Sequence, residues 1–376
     1  MKRIILVILV TLLIITLVAY SDAKAFAADS VVNPLTGLPV EDPDLLTYPP
    51  TLIPYARFTH NFKPSAGLSF APWVFEVYAG AGESRPMALF YGSLPEATTG
   101  IVPYVGAITG ALLGTEELRK QFTALQITTG NPQIVMDAGQ MNLENWYGES
   151  GKDMFPDLPV SRLSGFLEKW KKRLLEPDLT ALTIPFSSAI PANGMAGKSF
   201  FIRYADFNRV LWQFDETDGL YHRSQTMLTN PELSADIDVL NNQQLAVQNL
   251  IILFADHETV DEQGNFTVNF NYVNRNPALI FRDGLCYQAA WTTRNEAYEY
   301  ETEKIRPFRF IYPATDSAFM LKPGKSWVHV VQVNNPISEV REAVSAELQP
   351  GSGNWRMPFI SPSPFEQNDE ELNPLP

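Results

Sequence analysis

The chain has 376 residues, 45% of them hydrophobic and 12% aromatic, enough to bury a sizeable core and long enough for two domains. Its 42 acidic against 28 basic residues leave a net charge of −14, a surface that repels polyanions and argues against nucleic-acid binding. The single cysteine, Cys286, excludes an intramolecular disulfide and a thiolate metal site.

Lys2 and Arg3 precede an uncharged apolar segment from Ile4 to Tyr20, and Ala25-Phe26-Ala27 offers a cleavage site before Ala28. This is the layout of a secretory signal peptide, and the apolar segment also approaches the length of an uncleaved signal anchor. Residues 1–27 are therefore read as an export segment. The bulk of the protein is expected to be extracytoplasmic, secreted or held on the outer face of the cytoplasmic membrane. It meets the membrane only through that segment if uncleaved, and no cysteine follows there to take a lipid.

A proline-rich stretch leads into a strand near Ile53–His60, and strands are expected at Trp73–Tyr78, Met87–Tyr91 and Ala124–Thr128. Between the second and third lies Ala79-Gly80-Ala81-Gly82-Glu83-Ser84-Arg85-Pro86. A dinucleotide fingerprint wants a third glycine where Arg85 stands and a helix just beyond, yet Met87 to Tyr91 continues as a strand. A hairpin turn is the better reading. Thr115–Phe122 has a cap and an acidic first turn, and Ser161 to Leu175 repeats apolar residues at helical spacing before Pro177. Residues 33–177 thus read as a mixed α/β domain, with Lys169 to Arg173 a solvated helix face.

Beyond a small-residue loop at Ser187 to Lys198, short strands recur with turn-rich connections, and residues 183–334 read as a β-rich domain, an antiparallel sandwich or open barrel. The expected fold class is α+β. The Pro-rich, acidic tail at 349–376 is expected to be disordered.

Chemistry finds little support. The four histidines, His60, His222, His257 and His329, show no zinc-hydrolase pairing. No G-x-S-x-G elbow is present, and the apolar neighbours of Cys286 make it a small core residue. Asp215-Glu216-Thr217-Asp218-Gly219 lacks the ligand alternation of an EF-hand and reads as a hairpin turn. Glu76 closes an apolar strand, where burial would raise its pKa, but Arg85 across the hairpin is expected to pair with it and lower it. Trp212, Trp291 and Trp327 fall on core strands, whereas Trp146 and Trp355 sit in loop-like contexts and are expected to be exposed.

The order of short motifs adds a resemblance. Asn33 to Gly37, Gly67-Leu68-Ser69, Phe75-Glu76, Ser84-Arg85 and Pro95-Glu96 in the first half are similar to motifs of the YerB-like family of bacterial envelope lipoproteins, whose function is unknown. In the second half, Tyr221-x-Arg223, Gln248 to Ile252 and Lys322 to Trp327 resemble that family's strands and closing motif. The family's Arg-bearing element after the second strand is replaced here by Gly100 to Ala107, and its His-Ala-Gly-Gly-Ser segment by Thr128 to Pro132, without the histidine. The resemblance therefore implies fold and location more firmly than a site. It points to Glu76, Arg85, Tyr221, Arg223 and Asn249 as candidate ligand-binding residues.

The sequence reading is thus an exported, non-catalytic binding or scaffolding protein of the envelope, with no cofactor, no metal and no catalytic residue assigned. An envelope protein or a cell-wall glycan is the expected partner. The alternatives are a carboxylate-dependent hydrolase of envelope glycans using Glu76 as its acid, and, behind it, an extracytoplasmic solute-binding protein.

Overall fold

The computed structural model describes residues 31–56, 65–96, 101–112, 115–130, 142–173, 182, 184–227, 230–260, 266–271, 273–294, 300–301 and 308–363. The export segment and residues 364–376 of the expected tail lie outside them.

The first half supplies β1 (Thr51–Pro54), β2 (Trp73–Gly80), β3 (Glu83–Phe90), β4 (Leu125–Thr128) and β5 (Leu143–Asn145). Two helices accompany them, α1 (Glu116–Gln121) and α2 (Val160–Lys171). The second half adds β6 (Ser199–Ala205), β7 (Asn208–Asp215), β8 (Leu220–Met227), β9 (Asn230–Ala235) and β10 (Asn249–Ala255). It continues with β11 (Asn276–Arg282), β12 (Leu285–Thr292), β13 (Arg309–Ile311), β14 (Ser326–Gln332), β15 (Ser338–Glu339) and β16 (Asn354–Pro358).

The main sheet runs β13-β12-β11-β10-β14-β2-β3-β1-β4-β5, and the second sheet runs β9-β8-β7-β6-β16-β15. Two expectations change here. Among the described residues, the first half is mainly strand rather than mixed α/β, with α1 and α2 beside its strands. The segments read as separate domains also share one sheet, because β2 pairs in parallel with β14 from the far end of the chain.

The tail is the third correction. Asn354 to Pro358 pairs in parallel with β6, Met357 is in the core, and the Trp355 indole donates to Ala196 O at 2.9 Å. Its alternation of inward Trp355 and Met357 with outward Arg356 is a strand period set in a Pro- and Gly-rich context. Trp355 is accordingly buried, and Trp146 is half-buried with its indole donating to Asp157 O at 3.0 Å. Trp212, Trp291 and Trp327 are core residues as expected.

Both faces of the main sheet are covered, which explains why its central strands are apolar at nearly every position. Val74, Tyr78, Leu250, Ile252, Trp327 and Val331 meet the inner face of the second sheet, including Phe200, Ile202, Trp212 and Tyr221. Trp73, Phe75, Val77, Val328 and Val330 face the other way, onto Leu118 of α1, Phe122 at its end, and Phe308 and Phe310. The basic side chains Lys169, Lys171, Lys172 and Arg173 are exposed at the end of α2.

The β2–β3 turn is the expected hairpin. Ala81 and Gly82 have φ of +52° and +77°, the left-handed pair a two-residue type I′ loop requires. A Cβ on Gly82 would lie 2.6 Å from the Ala205 Cβ of the second sheet. Gly82→Ala is expected to cost about 1–3 kcal/mol, from the left-handed backbone and the overlap together. A thermal melt reads this, and an unchanged midpoint would contradict the close approach.

Candidate functional site

A buried polar cluster sits between the sheets, and strand alternation places each member. On β2, Glu76 points to the sandwich interior with Val74 and Tyr78. In register it faces Pro86 on β3 and His329 on β14. Arg85 faces Val77 instead, so its side chain leaves by the opposite face. The expected Glu76–Arg85 pair therefore does not form. The Arg85 Nη1 donates to Gly110 O at 2.7 Å, and burial, partly offset by Glu83, brings its pKa down to about 10.

The partner of Glu76 is Arg223, on β8 of the other sheet. Arg223 Nη2 donates to Glu76 Oε1 at 3.1 Å and Oε2 at 3.2 Å. Ser84 Oγ donates to Oε1 at 2.7 Å, and the Trp327 indole donates to Oε2 at 2.9 Å. Arg223 Nη1 reaches Asp236 and donates to Gln225 Oε1 at 2.8 Å. Gln225 in turn donates to Asn208 Oδ1 at 3.0 Å, and Asn208 donates to Gly82 O at 3.0 Å, returning the network to the hairpin. The guanidinium carbon lies 4.9 Å from the Trp327 ring centroid and 6.0 Å from that of Trp212, an arrangement that favours a cation.

His329 completes the cluster. The Trp212 indole can only donate, and it meets His329 Nε2 at 2.9 Å, so that nitrogen carries a lone pair. The neutral ring therefore holds its proton on Nδ1, 2.9 Å from the Tyr204 hydroxyl and 3.6 Å from Glu76 Oε2. Burial, with Arg223 adding and Glu76 opposing, pulls its pKa down to about 4. Burial alone would push the Glu76 carboxyl up, but Arg223, then His329, Ser84 and Trp327, outweigh it and hold it at about 2. Glu76 is an ionised acceptor, closed off from solvent, rather than a proton donor. Both His329 nitrogens are engaged, so the ring is not a free metal ligand.

Of the five candidate residues, then, the structure brings together Glu76 and Arg223. Tyr221 packs nearby between Phe214 and Phe281 with its hydroxyl donating to Gly197 O at 2.7 Å, a core role rather than a ligand contact. Asn249 clamps the turn before β14, accepting from Lys322 N at 2.8 Å and donating to Lys322 O at 2.9 Å. The residues missed are Ser84, Tyr204, Asn208, Trp212, Gln225, Asp236, Trp327 and His329. The one signal available was a polar residue within an apolar strand, as in Trp327-Val328-His329-Val330-Val331.

The motifs of the first and second halves also meet at a second buried carboxylate. Asp238 accepts from Gly67 N at 2.9 Å and from Ser69 N at 2.8 Å, and Lys325 Nζ reaches Ser69 O across 2.5 Å. Cys286, buried on β12, has its thiol pushed far up by burial and is inert core.

Fold and cluster together define a β protein whose two large sheets are joined through the buried Glu76–Arg223 ion pair. Residues 200–328 match the family described as "Protein of unknown function (DUF3048) C-terminal domain". The putative lipoprotein YerB of Bacillus subtilis (strain 168) is 23% identical over 329 residues, covering 82% of this chain and 89% of that protein. The crystal structure of YerB protein from Bacillus subtilis shares the fold, with a TM-score of 0.61 at 19% identity over 80% of this chain and 96% of that one. The chain thus resembles the YerB-like proteins over most of its length.

Proposed function

We propose that this protein is an exported, envelope-associated binding or scaffolding protein that acts without catalysis. The observation that carries this reading is the state of Glu76, the acidic residue on which the hydrolase alternative rests. It accepts from Arg223, Ser84 and Trp327, is shut from solvent and is held ionised, so it neither donates a proton nor reaches a glycan. The cluster fixes two sheets against each other and leaves recognition to the outer surfaces. Export rests on Lys2, Arg3 and the apolar Ile4 to Tyr20 segment, and the relative described as a putative lipoprotein is consistent with it.

The test is crosslinking in the native envelope, followed by mass spectrometry of what copurifies, against a similarly anchored control. Particular envelope proteins should be enriched. Glu76→Gln should capture the same partners at a temperature where it is folded, while losing about 3 kcal/mol of stability. Enrichment of no protein, together with glycan turnover that Glu76→Gln abolishes in a folded protein, would reverse the assignment.

A further inference from the structure

We propose that the β7–β8 hairpin binds a divalent transition-metal ion through Asp215, Asp218 and His222. The hairpin register pairs Asp215 with Leu220 and Gln213 with His222. Alternation sends Tyr221 and Arg223 inward, so the His222 ring lies on the outer face, beside the turn. One ligand atom from each of the three residues lies within 4.8 Å of the other two. Asp218 Oδ2 and His222 Nε2 are 2.8 Å apart. Ligands at about 2.0–2.2 Å from one metal ion stand about 3.0–3.5 Å apart, so Asp218 and His222 part slightly to admit the ion and Asp215 closes on it.

The donor set names the ion class. Two carboxylates and an imidazole suit Zn²⁺, Mn²⁺, Co²⁺ or Ni²⁺, whereas Ca²⁺ takes six to eight oxygen ligands. The surrounding charge favours a cation: Glu216 adds a third carboxylate to the turn, and the nearby Lys322, donating to Gly219 O at 3.2 Å, is paired with Asp283 at 2.8 Å. The hydrogen bonds that orient the carboxylates fall on Asp215 Oδ1, from Thr217 at 2.8 and 2.7 Å, and on Asp218 Oδ1, from Leu220 N at 3.0 Å. Asp218 Oδ2 is thereby left to face the imidazole. On binding, the proton on His222 Nε2 moves to Nδ1, or leaves an imidazolium to solvent, and the freed lone pair takes the metal. Three protein ligands on an exposed turn leave positions for water or for a partner's carboxylate or phosphate.

The experiment is calorimetric titration of the intact, untagged protein with Zn²⁺ and with Mn²⁺, alongside His222→Ala and Asp218→Asn. Wild type should take up one ion per chain, and Ca²⁺ should not compete. Each variant should lose at least about tenfold in affinity while melting like the wild type. Asp215→Asn gives the same reading if either variant is destabilised. Absence of saturable uptake by the wild type, or variants that bind as it does, would overturn the site.

Discussion

Arg223→Ala is expected to cost about 3–5 kcal/mol, because it leaves two buried carboxylates, Glu76 and Asp236, without their shared cation. Total stabilities of domains run about 5–15 kcal/mol, so the loss is large enough to bring this chain near unfolding. Arg223→Lys should fall between, since one ammonium cannot reproduce a planar fork that serves Glu76 through Nη2 and Asp236 through Nη1. Urea denaturation reads both variants. An alanine variant within about 0.5 kcal/mol of wild type, the range of an inert surface change, would mean the pair holds nothing together.

Acidification is expected to remove stability in two windows. The folded His329 has a pKa near 4 against an ordinary 6.5, so the unfolded chain takes up the proton first. Its contribution is complete above pH 6.5 and is lost as the pH falls toward 4, by on the order of 3 kcal/mol. His257, also lowered to about 4 by burial with Ala255 O and Asp256 opposing, acts in the same window and in the same direction. Glu76 follows below it: with a folded value near 2 against 4.5, its contribution stands above pH 4.5 and is lost toward pH 2. Protonating His329 at Nε2 would also break the Trp212 bond and set a second positive charge beside Arg223. Urea midpoints measured from neutral pH to about pH 4 should fall, and His329→Gln and His257→Asn should each flatten the fall. A stability unchanged across that range would contradict the neutral assignment of both rings.

The fold was legible where local period decides and opaque where long-range pairing does. The strands around Trp73, Val210 and Leu250, the hairpin at Ala81-Gly82 and the helix at Val160–Lys171 all follow from alternation, turn residues and apolar spacing. An α/β reading of the first half gives α1 and α2 more weight than the described strands around them support. What organises that half is the β2–β14 pairing, which joins residues about 250 positions apart and has no local signature. The tail misled for a compositional reason, since prolines, glycines and acids flank a strand carrying Trp355 and Met357.

The candidate site shows the same division. Glu76 stood out as a charge closing an apolar strand, and the family resemblance pointed to Arg223. Arg85 is near Glu76 in sequence, but a one-residue offset in register sends it to the other face. Glu76 and His329 are polar residues in otherwise apolar strands, whereas Arg223 lies on a largely polar one, and only the stacking of two sheets reveals that the three strands meet.

The central claim, that Glu76 and Arg223 act as a clamp between sheets, is tested most directly by a double-mutant cycle. Urea unfolding of wild type, Glu76→Gln, Arg223→Met and the double variant would be measured near neutral pH. The clamp predicts a coupling energy of at least about 2 kcal/mol, the double variant being less destabilised than the sum of the single ones. Additivity within about 0.5 kcal/mol would mean that the two residues act independently, and would contradict the clamp.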